Sequence, residues 1–143
     1  MRDTSILEKL IPSVINASVA LILSLPFYFW FGLSVHWKIS AILIFYILQV
    51  LDTHENLNFQ CFGMRILGTC WEKEYSRLQR NLYSIFYTLS FSTFFFYIYF
   101  PFDLFIANML LLQLPAIILS GTTLHGFLAG GLRTKIQNKP NSL

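Results

Sequence analysis

The stretch LIPSVINASVALILSLPFYFWFG, residues 10–32, carries no charged side chain. As helix it is long enough for the hydrocarbon core of a bilayer, which takes about 20 residues. Three further apolar runs follow at about 35–51, 82–100 and 103–120, the second with Lys38 near its end, where a long stem can snorkel to the headgroups. Lipid leaves no other partner for backbone groups, and the runs lack the strict alternation of barrel strands, so helix is predicted for all four. Composition agrees: 55% of residues are hydrophobic and only 12% charged, and 15 phenylalanines are too many for the core of a 143-residue chain. The fold class is therefore read as all-α. One polytopic membrane domain covers 1–143, with four transmembrane helices in two hairpins, a linker at 52–80 and a tail at 121–143.

The first run has a charged start and a small-residue NASVA segment, as a cleaved signal peptide does. Its apolar character continues well beyond that segment, so an uncleaved span is expected. Orientation follows from lysine and arginine. Arg2 and Lys9 precede the first span; Arg65, Lys73, Arg77 and Arg80 lie in the linker; Arg133, Lys135 and Lys139 lie in the tail. Only Lys38 falls on the opposite side. Both termini and the linker are thus expected in the cytoplasm, where Cys61 and Cys70 would remain free thiols. The net charge of +3 forms no dense basic stripe, and no nucleic-acid partner is expected.

No Asp, Glu, Arg or His stands in the central part of any span. Proton relays and cation paths use such groups because they ionise or coordinate, so a coupled transporter is disfavoured. The spans hold small and neutral polar residues instead. Ser13, Ala17, Ala20 and Ser24 share one helical face, with Asn16 nearby. Ser84 and Thr88 recur in steps of four, and Gln49, Asn108 and Gln113 complete the set. Close helix packing through interhelical hydrogen bonds is the preferred reading, and a polar path the alternative. Ten of the nineteen residues in 82–100 are aromatic; Tyr97 and Tyr99, with Trp30 and Trp37, fit an interfacial belt. Pro26 and Pro115 are candidate kinks.

The linker contains CFGMRILG, residues 61–68. Its glycines match neither a phosphate loop nor a dinucleotide fingerprint. An element lying along the membrane surface fits better, with Phe62, Met64, Ile66 and Leu67 dipping into the acyl boundary and Arg65 on lipid phosphates. Gly63 and Gly68 would supply the turns. Asp52, His54 and Glu55, with His125, are the available metal ligands, but their spacing is not that of a zinc site and a solvated loop is the simpler reading; no metal or cofactor is expected. No serine, histidine and carboxylate are spaced as a triad, so no enzyme is expected. The tail should lie on anionic headgroups.

GMRILG resembles the Gly-Lys-Arg-Leu-Leu-Gly signature of the RDD family of small bacterial membrane proteins. RLQRNLYSIFY resembles that family's arginine-asparagine entry into a span, through Arg80 and Asn81. TLHGFLAGGLRTKI resembles its Leu-His-Asp-x-x-Ala-Gly segment, through Leu124, His125, Ala129 and Gly130. KLIPSVIN resembles its Arg-x-x-Ala-x-x-x-Asp opening, with Lys9 for the arginine and Asn16 for the aspartate. Tyr87 and Gly126 stand where further aspartates are expected. The resemblance implies a multi-pass protein of the bacterial cytoplasmic membrane, in a family that includes transport-related members, some reported to exchange sodium for protons. The missing carboxylates imply a shared fold more than a shared activity.

Three functions follow as expectations. The first is a non-catalytic helix-packing or accessory subunit of a membrane assembly, joined through the small-residue face to other transmembrane helices in a homo-oligomer or larger complex. The second is a transporter or channel for a small ion or solute. The third is a lipid-binding protein in which Arg65, Arg77, Arg80 and Arg133 gather an anionic headgroup.

Overall fold

A computed structural model describes residues 2–52, 60–93 and 108–136. Helix α1 spans Ile6–Phe31 and starts four residues before the apolar run, because Ser5 and Glu8 form a capping box. The Glu8 N–H donates to Ser5 Oγ at 3.3 Å and the Ser5 N–H to Glu8 Oε2 at 2.7 Å. Gly32, at φ 62°, ends α1 and leads into α2, Val35–Asp52. The two pack as a hairpin.

The buried face of α1 consists of Pro12, Ser13, Asn16, Ala17, Ala20 and Ser24. This is the small-residue face of the sequence, and it lies inside the chain. Small side chains let α2 approach closely, and helix α4 (Arg77–Ser92) packs on α2 and contributes Tyr87 and Phe91 to the same core. Ala17, Ala20, Ala41, Phe45, Tyr87 and Phe91 form one cluster, with the Phe45 and Phe91 rings stacked 4.1 Å apart. The outward faces stay apolar: Ile22 and Leu23 of α1, Leu43 and Ile47 of α2, and Ile85 and Leu89 of α4 are all exposed.

The linker holds a short helix, α3 (Phe62–Leu67), and a strand, β2 (Thr69–Trp71). After the π-helix Asn108–Gln113 come α5 (Leu114–Ser120) and α6 (Leu124–Leu128). Strand β3 (Thr134–Ile136) pairs antiparallel on one side with β2 and on the other with β1 (Arg2–Asp3). The predominance of helix accords with the all-α expectation; this small sheet was not expected. It ties the start of the chain, the linker and the tail together at one end of the hairpin.

Among the described residues, α1 is the one helix long and apolar enough to cross a membrane. Val35–Leu51 and Leu110–Ser120 are apolar but shorter. Residues 94–107, which hold the later part of the third expected span and the start of the fourth, lie outside the described residues, as do Tyr97 and Tyr99 of the expected belt.

Candidate functional site

Where α1, α3, α4 and α6 meet, buried polar side chains form a connected group. Asn16 projects from the inner face of α1 and is 3% exposed. Its Oδ1 accepts the Gly63 backbone N–H at 2.8 Å, and its Nδ2 donates to the Tyr87 hydroxyl at 3.1 Å. The Gly63 N–H belongs to the first turn of α3, where no intrahelical acceptor exists, so Asn16 supplies one. Gly63 does not make a turn, as its sequence context suggested. It is the point where α3 touches α1: an added Cβ would lie 2.5 Å from the Pro12 carbonyl oxygen. Gly68 does turn the chain, capping α3 in the left-handed conformation at φ 65°.

His125 of α6 stacks on Tyr87, with ring centroids 4.3 Å apart and planes 9° from parallel. Its Nε2 lies 3.0 Å from Thr123 Oγ1 and 3.2 Å from the Tyr83 hydroxyl. Burial disfavours the imidazolium and lowers the His125 pKa to about 3. The ring is therefore neutral at physiological pH and too weak a base to take a proton there. Its Nδ1 is buried without a partner among the described residues. Among the described residues, none of these contacts brings a carboxylate to the ring. The buried group links α1, α3, α4 and α6. Tyr75 adds a further tie, its hydroxyl accepting the Arg133 N–H at 2.9 Å.

Beside this group lies a partly open cavity of about 30 Å³. Lys9, Ser13, Thr69, Thr122, Thr123 and Tyr83 are among the residues that line it. Most of these hydroxyls already serve the fold. Thr122 Oγ1 donates to the Leu132 carbonyl, Thr69 Oγ1 to the Met64 carbonyl at 3.3 Å, and Thr123 and Tyr83 meet His125.

The residues singled out in the sequence divide clearly. Lys9, Asn16, Gly63, Tyr87 and His125 converge on this region. Ala129 is buried with Tyr75 and Leu132, and Gly130 takes a φ of 112° beside the Gln79 amide. The Leu124 N–H donates to Gln113 Oε1 at 3.0 Å, while Gln113 Nε2 donates to Ser90 Oγ at 3.1 Å. Asn81 is exposed on α4.

Several of the polar residues expected along the spans bond within the bundle. Ser84 and Thr88 donate to the carbonyls four residues earlier, Arg80 and Ser84, as hydroxyls in apolar helices do. Ser24 accepts from Trp37 Nε1 at 3.1 Å. Gln49 is buried in α2. Asn108 lies in the π-helix, and its side chain is outside the description, as are those of Asp52, His54 and Glu55.

Three expectations need correction. Ala17 and Ala20 cannot form an interface with other chains, because α2 and α4 already bury that face. Met64 points into the protein rather than toward lipid; on α3, Phe62 and Ile66 remain exposed. Nor is the tail a loose surface anchor as far as Ile136: His125, Ala129 and Leu132 are buried, and Lys135 pairs with Glu72 at 3.1 Å. The four arginines stand on three different segments. Arg65 lies on α3, 5.8 Å from the Phe62 ring centroid, Arg77 and Arg80 lie on α4, and Arg133 donates to the Ser120 carbonyl.

Sequence reasoning treated Tyr87 only as a missing carboxylate and passed over Tyr83, Tyr75 and Thr123. The available signal was a tyrosine pair at i and i+4 in the first part of the run; a buried phenol needs a partner. No family model, curated protein or solved structure matches this chain.

Proposed function

We propose that this chain is a non-catalytic multi-pass membrane protein, a divergent RDD-like subunit that packs against other transmembrane helices through its outer faces. In this reading four spans cross the membrane, both termini and the linker face the cytoplasm, and the membrane is the bacterial inner membrane. One observation carries it: polar side chains of the helices bond to one another inside the bundle, while the outward faces of α1, α2 and α4 present leucine, isoleucine and phenylalanine. A water-soluble surface would show the reverse pattern. The orientation draws support from the sheet, since β1, β2 and β3 can pair only on the same side of a bilayer. The lysine and arginine bias points to the cytoplasmic side.

Single cysteines at Asp3, Lys73 and Leu33, labelled with an impermeant thiol reagent in whole cells and in opened cells, test the topology. Asp3 and Lys73 should react only after opening, and Leu33 in both. Co-purification from native membranes in mild detergent tests the assembly. A monomer without companions would overturn the subunit role, and a protein released into the aqueous fraction without detergent would overturn the membrane reading.

A further inference from the structure

We propose that the cavity beside the start of α1 binds an anionic phosphate oxygen through Lys9 and Ser13. These residues are four apart on α1 and so stand one above the other on the same face. Ser13 is only 6% exposed, lines the cavity, and its hydroxyl has no protein partner among the described residues. The Lys9 ammonium likewise meets no carboxylate within ion-pair distance there. Two donor groups in the lining of one small space suit an acceptor there.

Charge decides the kind of acceptor. The charged neighbours that act on Lys9 are Asp3 and Arg133, and Glu8 also lines the cavity. Glu8 is turned by about 100° around the helix from Lys9, and its Oε2 is engaged by the Ser5 N–H at 2.7 Å. Lys9 is the cation among the lining residues, and of its charged neighbours Asp3 acts on it more strongly than Arg133. A cavity of about 30 Å³ admits one or two oxygen atoms and leaves the rest of a phosphate at the opening. The phosphate belongs either to an anionic lipid at the membrane surface or to a free small molecule.

The two sources separate in one experiment on the full chain in mild detergent. Retained phosphatidylglycerol is measured by native mass spectrometry after equilibration with mixed phosphatidylglycerol and phosphatidylcholine micelles. The thermal midpoint is measured with and without inorganic phosphate. Lys9→Gln should weaken binding roughly tenfold and Ser13→Ala somewhat less, while Lys135→Gln, which removes an equal charge outside the cavity lining, should leave it unchanged. Lys9-dependent lipid retention identifies a headgroup, and a Lys9-dependent phosphate shift without lipid retention identifies a free phosphate. Failure of both probes to bind the unmodified protein would overturn the proposal. So would equal binding by Lys9→Gln and Ser13→Ala, or an equal loss in Lys135→Gln; unchanged midpoints of the ligand-free variants establish that they fold.

Discussion

Asn16 Oδ1 accepts the Gly63 N–H at 2.8 Å across 47 residues of sequence, and this bond joins the first apolar helix to the short helix of the linker. An amide serves where a carboxylate would not serve as well. Its oxygen accepts from Gly63 while its nitrogen donates to the Tyr87 hydroxyl, and an ionised side chain offers no donor.

Replacing Asn16 by Leu should therefore leave a buried N–H and a buried hydroxyl without that partner. The expected loss is about 2 kcal/mol, read as a lower unfolding midpoint in detergent. Tyr87→Phe removes only one of the two bonds and should cost less from that source. Equal stability of Asn16→Leu and the unmodified protein would remove the bond from its structural role.

Gly63 and Gly68 should differ in kind. A methyl at Gly63 meets Pro12 backbone atoms at 2.5 and 2.7 Å, so α3 must move off α1. A methyl at Gly68 meets open space and pays only for its left-handed backbone. Gly68→Ala is expected to cost about 1 kcal/mol and Gly63→Ala up to about 3 kcal/mol. Thermal unfolding of the two variants side by side checks the order, which a more damaging Gly68→Ala would reverse.

Stability should fall on the acid side through His125. Its folded pKa of about 3 lies below the ordinary value of 6.5. Above that ordinary value the ring is neutral in both states and its contribution is constant. As pH drops further, the unfolded chain takes up a proton that the folded chain refuses, and this group's contribution declines by about 1.4 kcal/mol per pH unit. His125→Gln should flatten this part of the profile between pH 6.5 and 5. An unchanged slope would show that burial of the ring does not govern it.

The packing of α1 predicts which positions can touch another chain. Ala20 is fully buried, whereas Ile22 and Leu43 are exposed. In native membranes, cysteine at Ile22 or Leu43 should form crosslinks to a neighbouring helix and cysteine at Ala20 should not. Ala20→Leu should also overpack the α1–α2 contact and cost about 1–3 kcal/mol. Efficient crosslinking from Ala20 would mean that this face is open.

Much of this protein is written in local chemistry. The absence of charge over 10–32, the small-residue period from Ser13 to Ser24 and the glycine at 68 determine helix, buried face and turn respectively, because each depends on side chains near one another in sequence. The start of α1 at Ile6 was legible too, in the Ser5 and Glu8 pair, although hydrophobicity alone placed it later. Tertiary structure decided what that face packs on. A stripe of small residues fits a helix of the same chain as well as one from another, and only the fold assigns it to α2 and α4. It also decided the three-stranded sheet, whose strands of two or three residues carry no periodic signal and exist through long-range pairing. The convergence of Asn16, Gly63, Tyr87 and His125 has the same cause: hydrogen bonds and ring stacking between residues 38 to 71 apart leave no pattern in a linear sequence until the chain brings them together.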